Sequence, residues 1–372
     1  MVSEKNILLL QLYSNGDCLY ATAVARQIKV DFPGCTLTWA IADFCAPIIA
    51  GNPYVDEVLE IKGLQRNDVV AFRKLKQRFF KERKAGLWQE VFVTHNMDSN
   101  QCYYDGTIRG MILRTYGKPM TVPLQPVLRL SDTEKNKVAL FAEQHQLRHF
   151  KNVILWEFAP QSGQTVLHFD FIRQLAERMI KLPSTCVLLS SASSFQGTAN
   201  IIDASVLTVR ENAALSHYCT LLIGCSSGIT WLNISDAAKQ LPMVQLLNAN
   251  TAFLNAPSVD FARYGIRSEE LIEITSIEEG RIFDCIKTIT AGDFAAAKEQ
   301  FNQQLPVQFN TTRVIVYNML CYLQFGAIMR HCKIITGIYG WHPLFLKQLS
   351  LAILGFPFKL AGNIFRKKIL RK

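Results

Sequence analysis

Apolar and polar positions divide the start of the chain into two patterns. Asn6–Leu12 is an apolar run interrupted only by Gln11, which suits a strand buried on both faces. The run stops at Tyr13-Ser14-Asn15-Gly16-Asp17. Leu19, Ala23, Val24 and Ile28 then recur at helical spacing until "FPGC" ends the pattern. Thr36–Ala42 predicts the next strand, "FCAPIIAGNPYVDEVLEI" a helix, a turn and a short strand, and Glu90–Asn96 a further strand. This is the βαβ rhythm of a parallel sheet. Pro119 to Pro126 interrupts it, and Asp132–Gln146 predicts a charged helix capped by Ser131 or Asp132. A second series begins at Asn152–Ala159 and continues through "TCVLLSSA", "SVLTV", "TLLIGCSSG" and "PMVQLL". The expected fold class is α/β: two Rossmann-like, doubly wound domains, residues 1–150 and 151–299, with a cleft beyond the carboxyl ends of their strands.

Length and composition agree with this division. A chain of 372 residues exceeds what one core usually holds, and 49% hydrophobic residues are enough for two. The net charge of +10 changes the picture more, because of where it lies. Residues 300–372 carry ten Lys or Arg and no acid, so the 299 residues before them hold 30 cations and 30 anions. That balance excludes a basic nucleic-acid groove across the main body. None of the ten cysteines forms a CxxC or a zinc-like cluster, and the expectation is reduced core thiols in a cytoplasmic protein. The start "MVSEKNILLLQLYS" carries an acid and too short an apolar run for a signal peptide.

Two turns carry candidate chemistry. Asp17 sits where the first strand gives way to a helix. It has two compatible readings, a helix N-cap or a carboxylate that accepts a proton from a hydroxyl nucleophile. "LLIGCSSGITWLN" predicts strand, small-residue turn and helix. Ser226, Ser227 and Gly228 there either form a plain tight turn or offer hydroxyls and amides to a phosphate. The loop Ala159–Thr165, with Gln161, Ser162, Gly163 and Thr165, is a further candidate for phosphate contacts. His95 ends a strand and is either a solvated strand end or a candidate acceptor contact. Glu157 ends another and is expected to be a hydrogen-bonded structural carboxylate, while Arg210 and Glu211 are expected to open a solvated helix.

The stretch from Ile7 to Ile61 resembles the N-terminus of glycosyltransferase family 9, the ADP-heptose:lipopolysaccharide heptosyltransferases and their relatives. The likeness rests on "SNGD" at Ser14–Asp17, a helix ending in "FP", a strand with Trp39, and "NPYVDEV" at Asn52–Val58. "LLIGCSSGITWLN" is similar to the family's C-terminal "IGxDSGxxHLA". The resemblance covers residues 5–260. It implies a GT-B fold, an N-terminal acceptor domain with Asn15, Gly16 and His95 on the acceptor side, and a C-terminal domain holding a nucleotide-diphosphate sugar. It also implies inverting, metal-independent transfer with Asp17 as base, no cofactor, and Leu207–Val209 near the nucleobase. Two positions depart from the family: Ser226 stands for its Asp and Trp231 for its His. The loop through Gln161–Thr165 also lacks the family's basic residue, and His168 is the nearest candidate.

The segment beyond residue 299 mixes apolar runs with cations and ends in "RKKILRK". Its runs are too short or too interrupted for the ~20 residues a membrane span needs. It predicts basic helices lying on an anionic leaflet, or alternatively a helical layer packed on the main domains. Together these readings lead to an expected enzyme on the inner face of a bacterial inner membrane, with a glycan or lipid-linked acceptor.

Overall fold

The computed structural model describes residues 5–158, 165, 167–191, 194–250, 256–266 and 268–369. The first domain is a four-stranded parallel sheet of β1 (Asn6–Leu10), β2 (Thr36–Ala42), β3 (Glu57–Ile61) and β4 (Glu90–Val93), in the order β3-β2-β1-β4. Its helices are α1 (Asn15–Asp31), α2 (Val69–Lys84) and α3 (Ile108–Arg114). β1 shows why an unbroken apolar run was needed. Ile7 and Leu9 face a core shared with α1, while Leu8 and Leu10 face Phe72 and Phe79 of α2 on the other side.

After Pro126 the chain is already tied to the second domain. Asp236 donates its amide to the Pro126 carbonyl, and its carboxylate accepts from the Leu128 amide at 2.8 Å. Helix α4 (Asp132–Gln144) follows. Of its two expected caps the structure selects Ser131, which with Glu134 forms a reciprocal capping box.

The second sheet contains β5 (Asn152–Glu157), β6 (Thr185–Ser190), β7 (Ile201–Asp203), β8 (Leu221–Gly224), β9 (Met243–Leu246) and β10 (Leu271–Ile274). Its order, β10-β9-β8-β5-β6-β7, is all parallel and follows the doubly wound Rossmann arrangement. The helices are α5 (Phe169–Met179), α6 (Glu211–Leu215), α7 (Gly228–Leu232), α8 (Pro257–Tyr264), α9 (Glu279–Thr290) and α10 (Phe294–Phe301). Strand order reverses between β1 and β4 in one sheet and between β5 and β8 in the other. The turns after β1 and β8 therefore flank the switch points where such sheets bind ligands.

Two local expectations are corrected. "SVLTV" is not a strand: β7 ends at Asp203, whose carboxylate accepts the amides of Ser205 and Phe195 and so turns the chain. Arg210 and Glu211 are not solvated. Arg210 is buried between the domains, donating to Glu134 and to the carbonyls of Pro47 and Ala50, and Glu211 is buried and paired with Lys137.

The basic segment forms α11 (Asn310–Cys321), α12 (Phe325–Tyr339) and α13 (Pro343–Ile369). The chain returns to the first domain, where Ile315 and Met319 pack with Cys102, Tyr104 and Met111. Phe345 of α13 is fully buried against Phe309 and Ile335. Among the described residues no helix is long and apolar enough to cross a membrane. All ten cysteines are free; eight are buried, Cys332 is half-buried and Cys321 is exposed.

Candidate functional site

Asp17 is placed by the end of β1. Ser14 occupies the N-cap position with φ 68°, in the left-handed region, and makes no side-chain cap bond. Asp17 is thus not the cap. It is the third helical residue, an acid in the first turn, where the helix dipole favours negative charge. It keeps partial exposure at the cleft. Even so, its crowded surroundings push its pKa up to about 7, against the opposing charge of Arg109. A carboxylate poised near neutrality matches the needs of a general base.

The turn after β8 faces it across the cleft. Ser226 has φ 53°, a strained value for serine, and the Gln245 side-chain oxygen holds it by accepting its amide at 2.8 Å. The same oxygen accepts from the Thr230 hydroxyl at 3.1 Å. Ser226 is buried, whereas Ser227 and Gly228 are half-exposed. A Cβ built on Gly16 would lie 3.9 Å from the Gly228 Cα, so the two turns touch. A Cβ on Gly228 itself would meet nothing within 4 Å among the described residues. Helix α7 is only five residues long, so little dipole is available to an anion there.

Between these turns lies a residue that the sequence pattern did not single out. Arg109 of α3 is buried and crosses to the second domain. It pairs with Asp260 of α8 and donates to the Ser226 hydroxyl at 2.9 Å. Its guanidinium lies 3.2 Å from the ring centroid of Trp231. Trp231 also packs on Tyr20 of α1, with ring centroids 5.0 Å apart, and on Phe261 at 5.8 Å. Both departures from the family motif, Ser226 and Trp231, are therefore contacts of Arg109. They were the available signal; nothing in "IRGMILR" itself marked the arginine. Burial raises the pKa of Asp260, with Arg109 opposing, and also raises that of Glu273, which accepts from Ser258 at 2.6 Å.

The other candidates separate. Gln161, Ser162 and Gly163 lie outside the described residues. Thr165 is buried, and its hydroxyl donates to the Leu246 carbonyl of β9 at 3.0 Å instead of facing a ligand. Leu207 is buried in the shared core. His95, expected on the acceptor side, is instead enclosed by Tyr13 and Phe72, with ring centroids at 5.2 and 4.9 Å, and contacts the Gln11 amide. Its short strand end folds inward because Asn100 gathers the Val93 and His95 carbonyls, each at 2.8 Å. Glu157 is buried and its carboxylate accepts from the Cys225 amide, while one of its oxygens has no hydrogen-bond partner among the described residues. Burial pushes its pKa up to about 8. Asn15 lines a cavity of about 630 Å³ between the domains, with Phe44, Ile48, Leu130, Val209 and Arg210.

No family model and no curated protein matches the chain. Solved structures do. A family 9 glycosyl transferase from Veillonella parvula superposes with a TM-score of 0.54 at 15% identity, over 77% of this chain and 90% of that one. The E. coli ADP-heptose lipopolysaccharide heptosyltransferase II gives 0.51 at 16% identity, over 78% of this chain and 100% of that one. At such identities the likeness concerns the fold: the chain has the GT-B architecture of these two structures, as the resemblance implied.

Proposed function

We propose that the chain is an inverting glycosyltransferase that moves a sugar from a nucleotide-diphosphate donor to a hydroxyl of a glycan or lipid-linked acceptor. The observation that carries this reading is Asp17. It stands at a switch point, faces the Ser226–Gly228 turn of the other domain, and titrates near neutrality. The acceptor oxygen attacks the anomeric carbon on the side opposite the diphosphate. The new carbon–oxygen bond forms as the bond to the diphosphate breaks. Its electron pair passes to the phosphate oxygen, and the acceptor proton passes to the Asp17 carboxylate. One displacement from the opposite face inverts the anomeric centre. The apolar cavity beside Asn15, next to Val209 and Arg210, offers room for the nucleoside part of the donor.

The two similar solved structures are a glycosyl transferase and an ADP-heptose heptosyltransferase. They support a heptose-like sugar and a lipopolysaccharide-type acceptor as the first substrates to try. One observation favours a second reading, a non-catalytic relative that binds nucleotide-sugar or glycan in a membrane assembly: Ser226 and Trp231 replace the two polar residues of the family motif. A panel of ADP-, UDP- and GDP-sugars separates the two. Thermal stabilisation by one donor with release of its nucleoside diphosphate supports the enzyme. Stabilisation with no release under any acceptor mixture supports the binding protein, and no stabilisation by any donor refutes both.

A further inference from the structure

We infer that Arg109, delivered from the acceptor domain, is the cation that receives the donor's diphosphate, and that Asp260 holds its place until the donor arrives. The inference rests on the glycosyltransferase reading and deepens it at the leaving-group side. A departing diphosphate gathers negative charge as its bond to the sugar breaks, and preorganised donors aimed at that charge are a large part of catalysis. The Ser226–Gly228 turn contains no cation, and the five-residue α7 behind it supplies little dipole. Asp17, Asp260 and Glu273 around it are acids. An anion at that turn therefore requires a positive partner from elsewhere.

Arg109 already reaches it. One guanidinium nitrogen donates to Ser226 Oγ at 2.9 Å, and the other pairs with Asp260. Trp231 supports the flat face of the group at 3.2 Å, which fixes the fork in one plane. A buried ion pair between domains is costly to form, and apolar residues of similar volume would hold the interface as well or better. The pair makes sense as a reserved charge. A phosphate entering above Gly228, where a Cβ would meet none of the described residues within 4 Å, competes with the Asp260 carboxylate for the same planar fork. Because Arg109 comes from the acceptor domain and Ser226 from the donor domain, the clamp is complete only when the domains meet. Departure of the diphosphate is then coupled to closure over Asp17.

The test is calorimetric titration of full-length protein with ADP, UDP and GDP, on wild type, Arg109→Gln, Arg109→Lys and Asp260→Asn. Wild type is expected to bind at least one of the three. Arg109→Gln should weaken that affinity by about tenfold or more and lower donor turnover by roughly 10²–10³-fold, the scale of a lost charge-stabilising donor. Arg109→Lys should fall between, since it keeps the charge and loses the fork. Asp260→Asn should act in the opposite direction and tighten diphosphate binding, because it frees the guanidinium. Equal weakening by Arg109→Gln and Asp260→Asn would mark a merely structural pair and overturn the inference, as would unchanged affinity in Arg109→Gln. If Arg109→Gln does not fold, the sign of the Asp260→Asn change decides alone. If wild type binds none of the three diphosphates, the glycosyltransferase reading falls first and the inference with it.

Discussion

A base has to be ionised to work, and this sets the sign of the pH dependence at Asp17. With a pKa of about 7, turnover should rise with pH through neutrality and level above it. Asp17→Asn should remove that limb and lower turnover by roughly 10²–10⁴-fold. Donor affinity should persist, since Asp17 makes no contact needed to hold the Ser226 turn; near-normal turnover in the variant removes Asp17 from the mechanism. Glu157 gives a second, purely energetic prediction. Its folded pKa of about 8 lies above the ordinary 4.5. At low pH both folded and unfolded states are protonated and nothing is lost. As pH rises from 4.5 toward 8 the unfolded state ionises first, so the native state loses stability across that window. Glu157→Gln keeps an acceptor for the Cys225 amide and removes the charge. Its melting temperature should match wild type near pH 4.5 and exceed it increasingly up to pH 8. A constant difference across the range would mean that Glu157 does not titrate in the fold. At this scale the sequence was legible for Asp17, whose position after an apolar strand marked it. It was illegible for Arg109, whose partners lie 117 and 151 residues away.

Strands buried on both faces announce themselves, and for that reason the sheets could be read from apolar runs. β7 could not, because it has three residues and its apparent continuation is turned away by the Asp203 carboxylate. The inward fold of His95 was equally hidden, since it depends on Asn100 collecting carbonyls beyond the strand. The β8–α7 turn offers a paired prediction at the level of the element. A Cβ on Gly224 would lie 2.7 Å from Thr230 Oγ1 and 3.0 Å from Gln245 Oε1, the groups that brace the turn. Gly224→Ala should therefore cost about 1–3 kcal/mol in chemical denaturation, the usual range for overpacking. Gly228 has no neighbour among the described residues within 4 Å of an added Cβ, so Gly228→Val should change stability by no more than roughly 1 kcal/mol. The same valine fills the space over the turn and should weaken nucleoside-diphosphate binding by about tenfold or more. Undiminished affinity in folded Gly228→Val would locate the diphosphate elsewhere.

Over the whole molecule, the net charge and much of the exposed apolar surface fall on the same C-terminal segment. All of the +10 lies beyond residue 299. Leu323, Met329, Trp341, Leu354 and Phe358 of that segment are exposed. The sequence presented a surface-bound tail and a packed layer as alternatives; the structure packs one side of the segment and leaves the other exposed. Phe345, one of the apolar residues at the start of α13, turns inward against Phe309, and Leu349 packs on the same cluster. The outer face of α13 keeps Leu351, Ile353, Leu354 and Phe358 in solvent. Removing all of α13 would strip Phe309 of its cover, so the informative truncation begins at residue 359. It deletes six cations and spares Phe345 and Leu349. Each Lys or Arg near an anionic leaflet contributes about 1 kcal/mol, screened by salt, whereas inserted apolar side chains add a part that salt does not remove. Full-length protein should co-sediment with phosphatidylglycerol vesicles at low salt, less at high salt, and little with phosphatidylcholine. The truncation should lose the salt-sensitive part with its melting temperature preserved. Leu354→Glu with Phe358→Glu should lose the salt-resistant part. If full-length protein ignores phosphatidylglycerol at low salt, the outer face of α13 meets no membrane, and the proposal of a lipid-linked acceptor loses the feature that would bring the protein to it.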